Sequence, residues 1–282
     1  MTDSPLRRSI GWYRIPILIV AVLTCLLFYL PFLVVVATSW TGTSYIIFPP
    51  EGFSLQSYIG VLGDVEWMDA FKISLRVAGI GTVIAVLLGT LGALALTRLR
   101  SRAARRWIRT LFIVPMAIPP VAYAVGLYSV SLRATALQDN LGLLILGEAL
   151  LAVPYVFVMV SSGLSQADPA LRPVASTLGA GWPMIVWRVD LPMIAGHMLA
   201  GAVFAFAVIF DEVVLSVFLT PVGVKTLPLQ MLTASQEELS PQLTAASTLV
   251  SMAAVLLLGG YSLFSSRRAA RARRLSRKAA TV

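Results

Sequence analysis

The chain of 282 residues contains one histidine, one cysteine and three lysines, and only 12% of its residues are charged. The usual zinc, haem and iron–sulfur centres need several His or Cys ligands, so none of those sets can be assembled. The only histidine, His197, reads as structural. Cys25 lies inside an apolar run, which excludes an internal disulfide and leaves the redox compartment open. No GxxxxGK[ST] pattern ends at any of the lysines, so ATP is not held by a P-loop here. Any active transport must draw its energy from another subunit or an ion gradient. The shortage of charge is matched by 58% hydrophobic residues and a mean hydropathy of +0.85. Soluble domains carry roughly 25% charged residues, so a conventional soluble enzyme is excluded and most of the chain belongs in lipid.

Six apolar runs are each long enough to cross about 30 Å of hydrocarbon at about 1.5 Å per residue. They are Ile15 to Thr38, Ile73 to Thr97, Thr110 to Leu132, Leu141 to Gly163, Met193 to Leu219 and Leu243 to Phe264. The first carries two prolines and lacks the short apolar core and small-residue cleavage site of a secretory signal, so it reads as a retained helix. The expected fold is therefore an all-α membrane protein of six transmembrane helices. It is preceded by a segment over 1–14 and followed by a basic tail over 265–282.

Basic residues flanking a span resist translocation, and their distribution sets the orientation. Eighteen of the 22 fall on one side: Arg7, Arg8 and Arg14, the run RLRSRAARRWIR from Arg98 to Arg109, Arg172 and Arg188, and the tail. The opposite connections carry Glu51, Asp64, Glu66, Asp69, Asp139, Glu237 and Glu238. Both termini are expected in the cytoplasm. A topology function with contacts to anionic lipid accounts for the net charge of +9 without a nucleic-acid partner.

The six tryptophans all lie outside the apolar runs, as expected of rings at the headgroup level. Gly81, Ala85, Gly89 and Ala93 recur every four residues, a small-residue stripe that lets another helix approach closely. Pro115, Pro119 and Pro120 predict a bend in the third run.

The connection Ser165 to Pro192, SQADPALRPVASTLGAGWPMIVWRVDLP, is too long and too patterned to be a mere link. Asp168 and Pro169 offer a helix start, with Pro173 as a second candidate start. Gly179 and Gly181 supply a turn, and Pro183 opens a second short helix ending near Leu191 and Pro192. The segment resembles the EAA loop of membrane subunits of binding-protein-dependent ATP-binding-cassette importers. Ala175, Gly179, Val189, Leu191 and Pro192 fall at the family's spacing, whereas Pro173 replaces its glutamate and Val174 its first alanine. The stretch from Phe210, FDEVVLSVFLTPVGVKTLPLQMLTASQEELSPQLTAASTL, is similar to the spermidine/putrescine permeases, the PotC-like subunits in particular. The resemblance implies a type I importer permease of the bacterial inner membrane. It is not itself an enzyme, and pairs with a second permease subunit, a different chain or a second copy. An ATPase dimer below would carry ATP and Mg, and a solute-binding protein above would deliver the cargo. The residues implied in ATPase coupling are Pro173, Val174, Ala175, Ser176, Gly179, Ala180, Val189, Leu191 and Pro192.

Glu148, Asp211 and Glu212 are the acids inside the expected spans. An ionised side chain at the bilayer centre costs at least about 2.5 kcal/mol, so each needs water or a partner. Asp211, with Val208 and Leu215 on the same helical face, and Glu148 come out at matching depths in the outward half, and these two with Glu212 are the candidates to meet a cationic solute. Pairing with Arg76 or Arg133 is the alternative. Polyamine is the expected cargo class, with iron, thiamine, opines and phosphonates as alternatives within the same importer class. A membrane anchor or a redox subunit is the rival class; an anchor would need no docking loop, and a redox subunit would need ligands that are missing.

Overall fold

The computed structural model describes residues 6–133, 140–168, 170–237, 240–256 and 259–260, with side chains from Ile15 onward. Among these residues the regular elements are helical. They run α1 (Leu6–Thr38), α2 (Gln56–Gly63), α3 (Val65–Arg98), α4 (Arg102–Ile113), a 3-10 turn (Val114–Ala117) and α5 (Pro120–Ser131). Then follow α6 (Gly142–Gln166), α7 (Leu171–Thr177), α8 (Trp182–Ile185), a π turn (Val186–Asp190), α9 (Leu191–Phe210), α10 (Val214–Leu219), α11 (Leu227–Glu237) and α12 (Pro241–Leu256). They divide into two compact units, Met1–Asp64 with Thr233–Leu256, and Val65–Leu232 with Leu257–Val282.

The all-α membrane class stands, but the expectation of six spans does not. Among the described residues four helices are long and apolar enough to cross: Ile15–Thr38, Val65–Arg98, Gly142–Gln166 and the unbroken run Trp182–Phe210. The count rises to five only if α4 with its 3-10 turn and α5 are taken as one bent span. Those two meet at 97°, and the cause is local. A residue before proline is pushed out of the helical region, and Ile118 and Pro119 both precede prolines, with ψ of 126° and 129°. The bend predicted from the prolines of the run 110–132 is thus a right-angle corner between two helices. The sixth run, Leu243 to Phe264, yields α12, shorter than the roughly 20 residues a crossing takes; most of the run beyond Leu256 lies outside the described residues, as does the tail 265–282.

In the unit beginning at Val65, α3, α6 and α9 pack together, and small residues set their spacing. A β-carbon at Gly89 of α3 would sit 2.8 Å from Cβ of Val156 on α6, and one at Gly201 of α9 would sit 3.1 Å from Cα of the same valine. Val156 is thus held between two glycines on different helices. Gly81, Ala85, Gly89 and Ala93 are all buried, so the predicted stripe is the packing face of α3. His197 packs against Gly163, consistent with a structural role. Trp67 is buried: α3 begins at Val65, which carries this ring onto the inward side of its first turn.

In the unit containing α1, the chain turns back after Thr38 through Ser39, whose hydroxyl meets the Tyr58 hydroxyl at 2.6 Å. The Trp40 ring stands edge-on to Tyr58 with centroids 5.8 Å apart.

Candidate functional site

Helix α7 starts at Leu171, so Pro173 is its third residue. The first four N–H groups of a helix have no intrahelical partner, and a proline there sacrifices nothing. The Asp168 carboxylate accepts from the Ala170 N–H at 2.9 Å and turns the chain into the helix. Pro169 lies outside the described residues. At the far end the Gly179 N–H donates to Ser176 O and the Ala180 N–H to Ala175 O, both at 3.0 Å. This paired pattern closes a helix on a left-handed residue, and Gly179 has φ of +84°. Gly179 thus occupies the one position in the loop where a side chain would strain the backbone. Leu171, Val174 and Leu178 share a face at spacings of three and four residues and are all exposed, Leu178 to 82%.

The second half of the loop departs from the expected short helix that stops at Pro192. From Trp182 the chain is helical through to Phe210, with a π turn over Val186–Asp190 in which the Leu191 N–H reaches Val186 O. Proline at 192 has no N–H to offer Arg188 O and its ring crowds that carbonyl; widening the turn relieves the conflict without ending the helix. Val189 lies in the π turn, and Leu191 and Pro192 open α9.

Two contacts that single-residue patterns do not reveal fix the loop in place. Arg172 Nε donates to Asp190 Oδ1 at 2.9 Å, with Asp190 buried. The Arg98 guanidinium at the end of α3 lies 4.6 Å from the centre of the Trp182 ring. Opposite charges 18 residues apart in a loop with few other charges were the only hint of the first pair.

The three intramembrane acids separate into different environments. Asp211 ends α9, as its C-cap, and is exposed. Since α9 stops at Phe210, Leu215 belongs to a different helix and does not extend the face of Val208 and Asp211. Glu212 is half-buried, and its carboxylate accepts from the Val214 and Leu215 N–H groups at 2.6 and 3.1 Å, closing the start of α10. Glu148 is 1% exposed. Its Oε1 lies 3.5 Å from Ser216 Oγ, which lies 3.2 Å from Glu212 O and accepts from Thr226 Oγ1 at 2.9 Å. Its Oε2 is buried without a hydrogen-bond partner. Ser216 and Thr226 therefore join Glu148 to the segment after α9, a link visible only in three dimensions. Neither Arg76 nor Arg133 forms an ion pair with any of the three acids. Among the described residues no cluster of His, Cys, Asp and Glu is placed to hold a metal.

The fold is that of an ABC importer permease. It matches a chain of a bacterial ABC transporter involved in the import of the acidic polysaccharide alginate with a TM-score of 0.75, over 93% of this chain and 98% of that one, at 16% identity. The chain belongs to the family described as binding-protein-dependent transport system inner membrane component, whose model matches residues 81–276. It is 27% identical over 278 residues to the putrescine transport system permease protein PotI of Escherichia coli (strain K12), covering 97% of this chain and 96% of that protein. It is also 28% identical over 245 residues to the putative 2-aminoethylphosphonate transport system permease protein PhnV of Salmonella paratyphi A (strain ATCC 9150 / SARB42), covering 85% and 89%. Near-equal identity to two such different permeases corrects the narrower PotC-like resemblance to the family at large. The chain is a non-catalytic, multi-pass permease of the bacterial inner membrane. It serves an ABC importer of a small polar solute delivered by a binding protein, alongside an ATPase.

Proposed function

We propose that this permease imports a small solute bearing an ammonium group, with polyamines as the cargo class. The observation that carries the reading is the set of three carboxylates around the α9–α10 break, none with a basic partner among the described residues. Asp211 is exposed where the long helix ends, and Glu148 is joined to Glu212 through Ser216. A carboxylate attracts a cation, and does so more strongly as water is displaced from between them. The names of the two relatives support the same chemistry, because putrescine and 2-aminoethylphosphonate both carry a primary amine. A second permease chain completes the pathway, and ATP with Mg is bound by the partner ATPase dimer. The knob around Ala175 to Gly179 docks on that ATPase through the exposed face of Leu171, Val174 and Leu178. Arg172–Asp190 and Arg98–Trp182 carry its movement into α9 and α3.

The test is uptake into proteoliposomes holding the complete importer, with ATP inside and loaded binding protein outside. Asp211→Asn keeps the shape and removes the charge. Putrescine uptake should fall about tenfold or more, the order expected when a charge-assisted contact is lost, while the binding protein's affinity stays unchanged. Unaltered kinetics would leave Asp211 as a water-exposed helix end and remove the electrostatic case for a cationic cargo.

A further inference from the structure

Helix α4 presents three distinct faces. Arg102, Arg105, Arg106 and Arg109 recur at spacings of three and four residues and form one stripe over about 10 Å. Trp107 and Leu111, four residues apart on the opposite side, are exposed to 75% and 69%. Ala104, Ile108 and Phe112 are half-buried, and the Phe112 ring stacks on Phe157 of α6 with centroids 4.8 Å apart. The four arginines, with Leu96 of α3, line a cavity of about 350 Å³. Arg105 Nε donates to Leu99 O at 2.6 Å, which fixes one guanidinium against the preceding turn. Among the described residues none of the four forms an ion pair. Four exposed guanidinium groups around one open cavity, none of them ion-paired among the described residues, suit an anion with several acceptor oxygens, to which the planar fork of arginine is matched.

We propose that this cavity is a headgroup site for an anionic glycerophospholipid, with the phosphodiester among the arginines and the acyl chains running along Trp107 and Leu111. The aromatic and aliphatic side chains exposed opposite the arginines select a membrane occupant, because they place the helix at an interface with one face in the acyl region. A soluble phosphate would leave them in water. A cavity at the small end of ligand pockets fits a headgroup rather than a whole lipid.

The experiment is native mass spectrometry of the full-length chain carried through delipidation in either phosphatidylglycerol or phosphatidylcholine. The wild-type chain should retain phosphatidylglycerol preferentially. Arg105→Gln with Arg106→Gln should lower that retention about thirtyfold, from roughly fivefold per basic residue at an anionic surface. Arg188→Gln, a basic change away from α4, should leave it unchanged. Equal retention of the two lipids by the wild-type chain overturns the proposal and does not depend on the variant accumulating. So does unchanged retention in the double variant. Displacement of phosphatidylglycerol by inorganic phosphate makes the ligand a free anion and overturns the lipid assignment. Intact lipid retention with lost ATPase co-purification in the double variant assigns the stripe to a protein partner instead.

Discussion

Helices α1 and α6 are both apolar enough to cross a membrane, yet none of the apolar window of α1 is buried, against 67% of that of α6. Lipid tails are as apolar as leucine, so hydrophobicity takes a helix into the bilayer without choosing its neighbours. Small residues do that. The span of α1 from Ile15 to Thr38 has no glycine, whereas α6 carries Gly147, Ala149 and Ala152 on its buried side, and α3 and α9 meet α6 through Gly89 and Gly201. A bulky apolar helix is equipped to face lipid, and a helix with a small-residue face is equipped to build a core.

The sharpest way to break this contrast is Gly89→Leu. Its first added carbon would already lie 2.8 Å from Val156, and overpacking of this kind costs about 3 kcal/mol. Folded permease should be lost from detergent extracts, read by resistance to proteolysis, while Leu27→Ala in α1 should change stability by less than about 0.5 kcal/mol. Similar effects at both sites would show that close packing does not distinguish the two helices. Arg172→Ala extends the contrast to the polar end of the core. It leaves Asp190 buried without its partner, a loss of about 2 kcal/mol once the partial exposure of Arg172 is allowed for. Cleavage within 165–182 by added protease should quicken, and Asp190→Asn in the same chain should restore part of the protection. Gly179→Val probes a place where conformation matters and packing does not, since no atom lies within 4 Å of the added carbon. The left-handed backbone there should cost about 1 to 2 kcal/mol. Membrane insertion should be normal while ATPase co-purification and uptake both fall, and Gly181→Ala, at a φ of −69°, should be silent.

The parts of the fold written in local pattern were legible. The small-residue face of α3 and the glycine turn after α7 follow from residues a few positions apart, and the sequence boundary at Thr38 coincides with the end of α1. What was missed depends on geometry between distant residues or on backbone detail that apolarity does not record. The prolines of the run 110–132 announced a bend, but not that Pro119 and Pro120 together hold two consecutive residues outside the helical region and make it a 97° corner. Hydropathy credits the run from Leu243 with a full crossing, whereas α12 over the described residues is too short. Among the candidate acids, their presence in apolar surroundings was readable, but the end of α9 at Phe210 was not. That break separates exposed Asp211 from buried Glu148 and made the expected face with Leu215 impossible. Ser216 and Thr226 went unnoticed and Arg172 was read only as a topology charge, because a hydroxyl or a guanidinium acquires meaning only from the group opposite it.

The π turn over Val186–Asp190 acts as a phase setter for the helix that follows. Each α-helical residue advances the chain by about 100°, and a π turn spends one residue more for the same progress. Everything on the Trp182 side of it is therefore rotated by about that angle from where an uninterrupted helix would place it. Asp190, Ile194 and Gly201, four and seven residues apart, share the buried face of the helix beyond the turn. The angular register between the knob and the membrane-crossing part of α9 is thus stored in a single surplus residue.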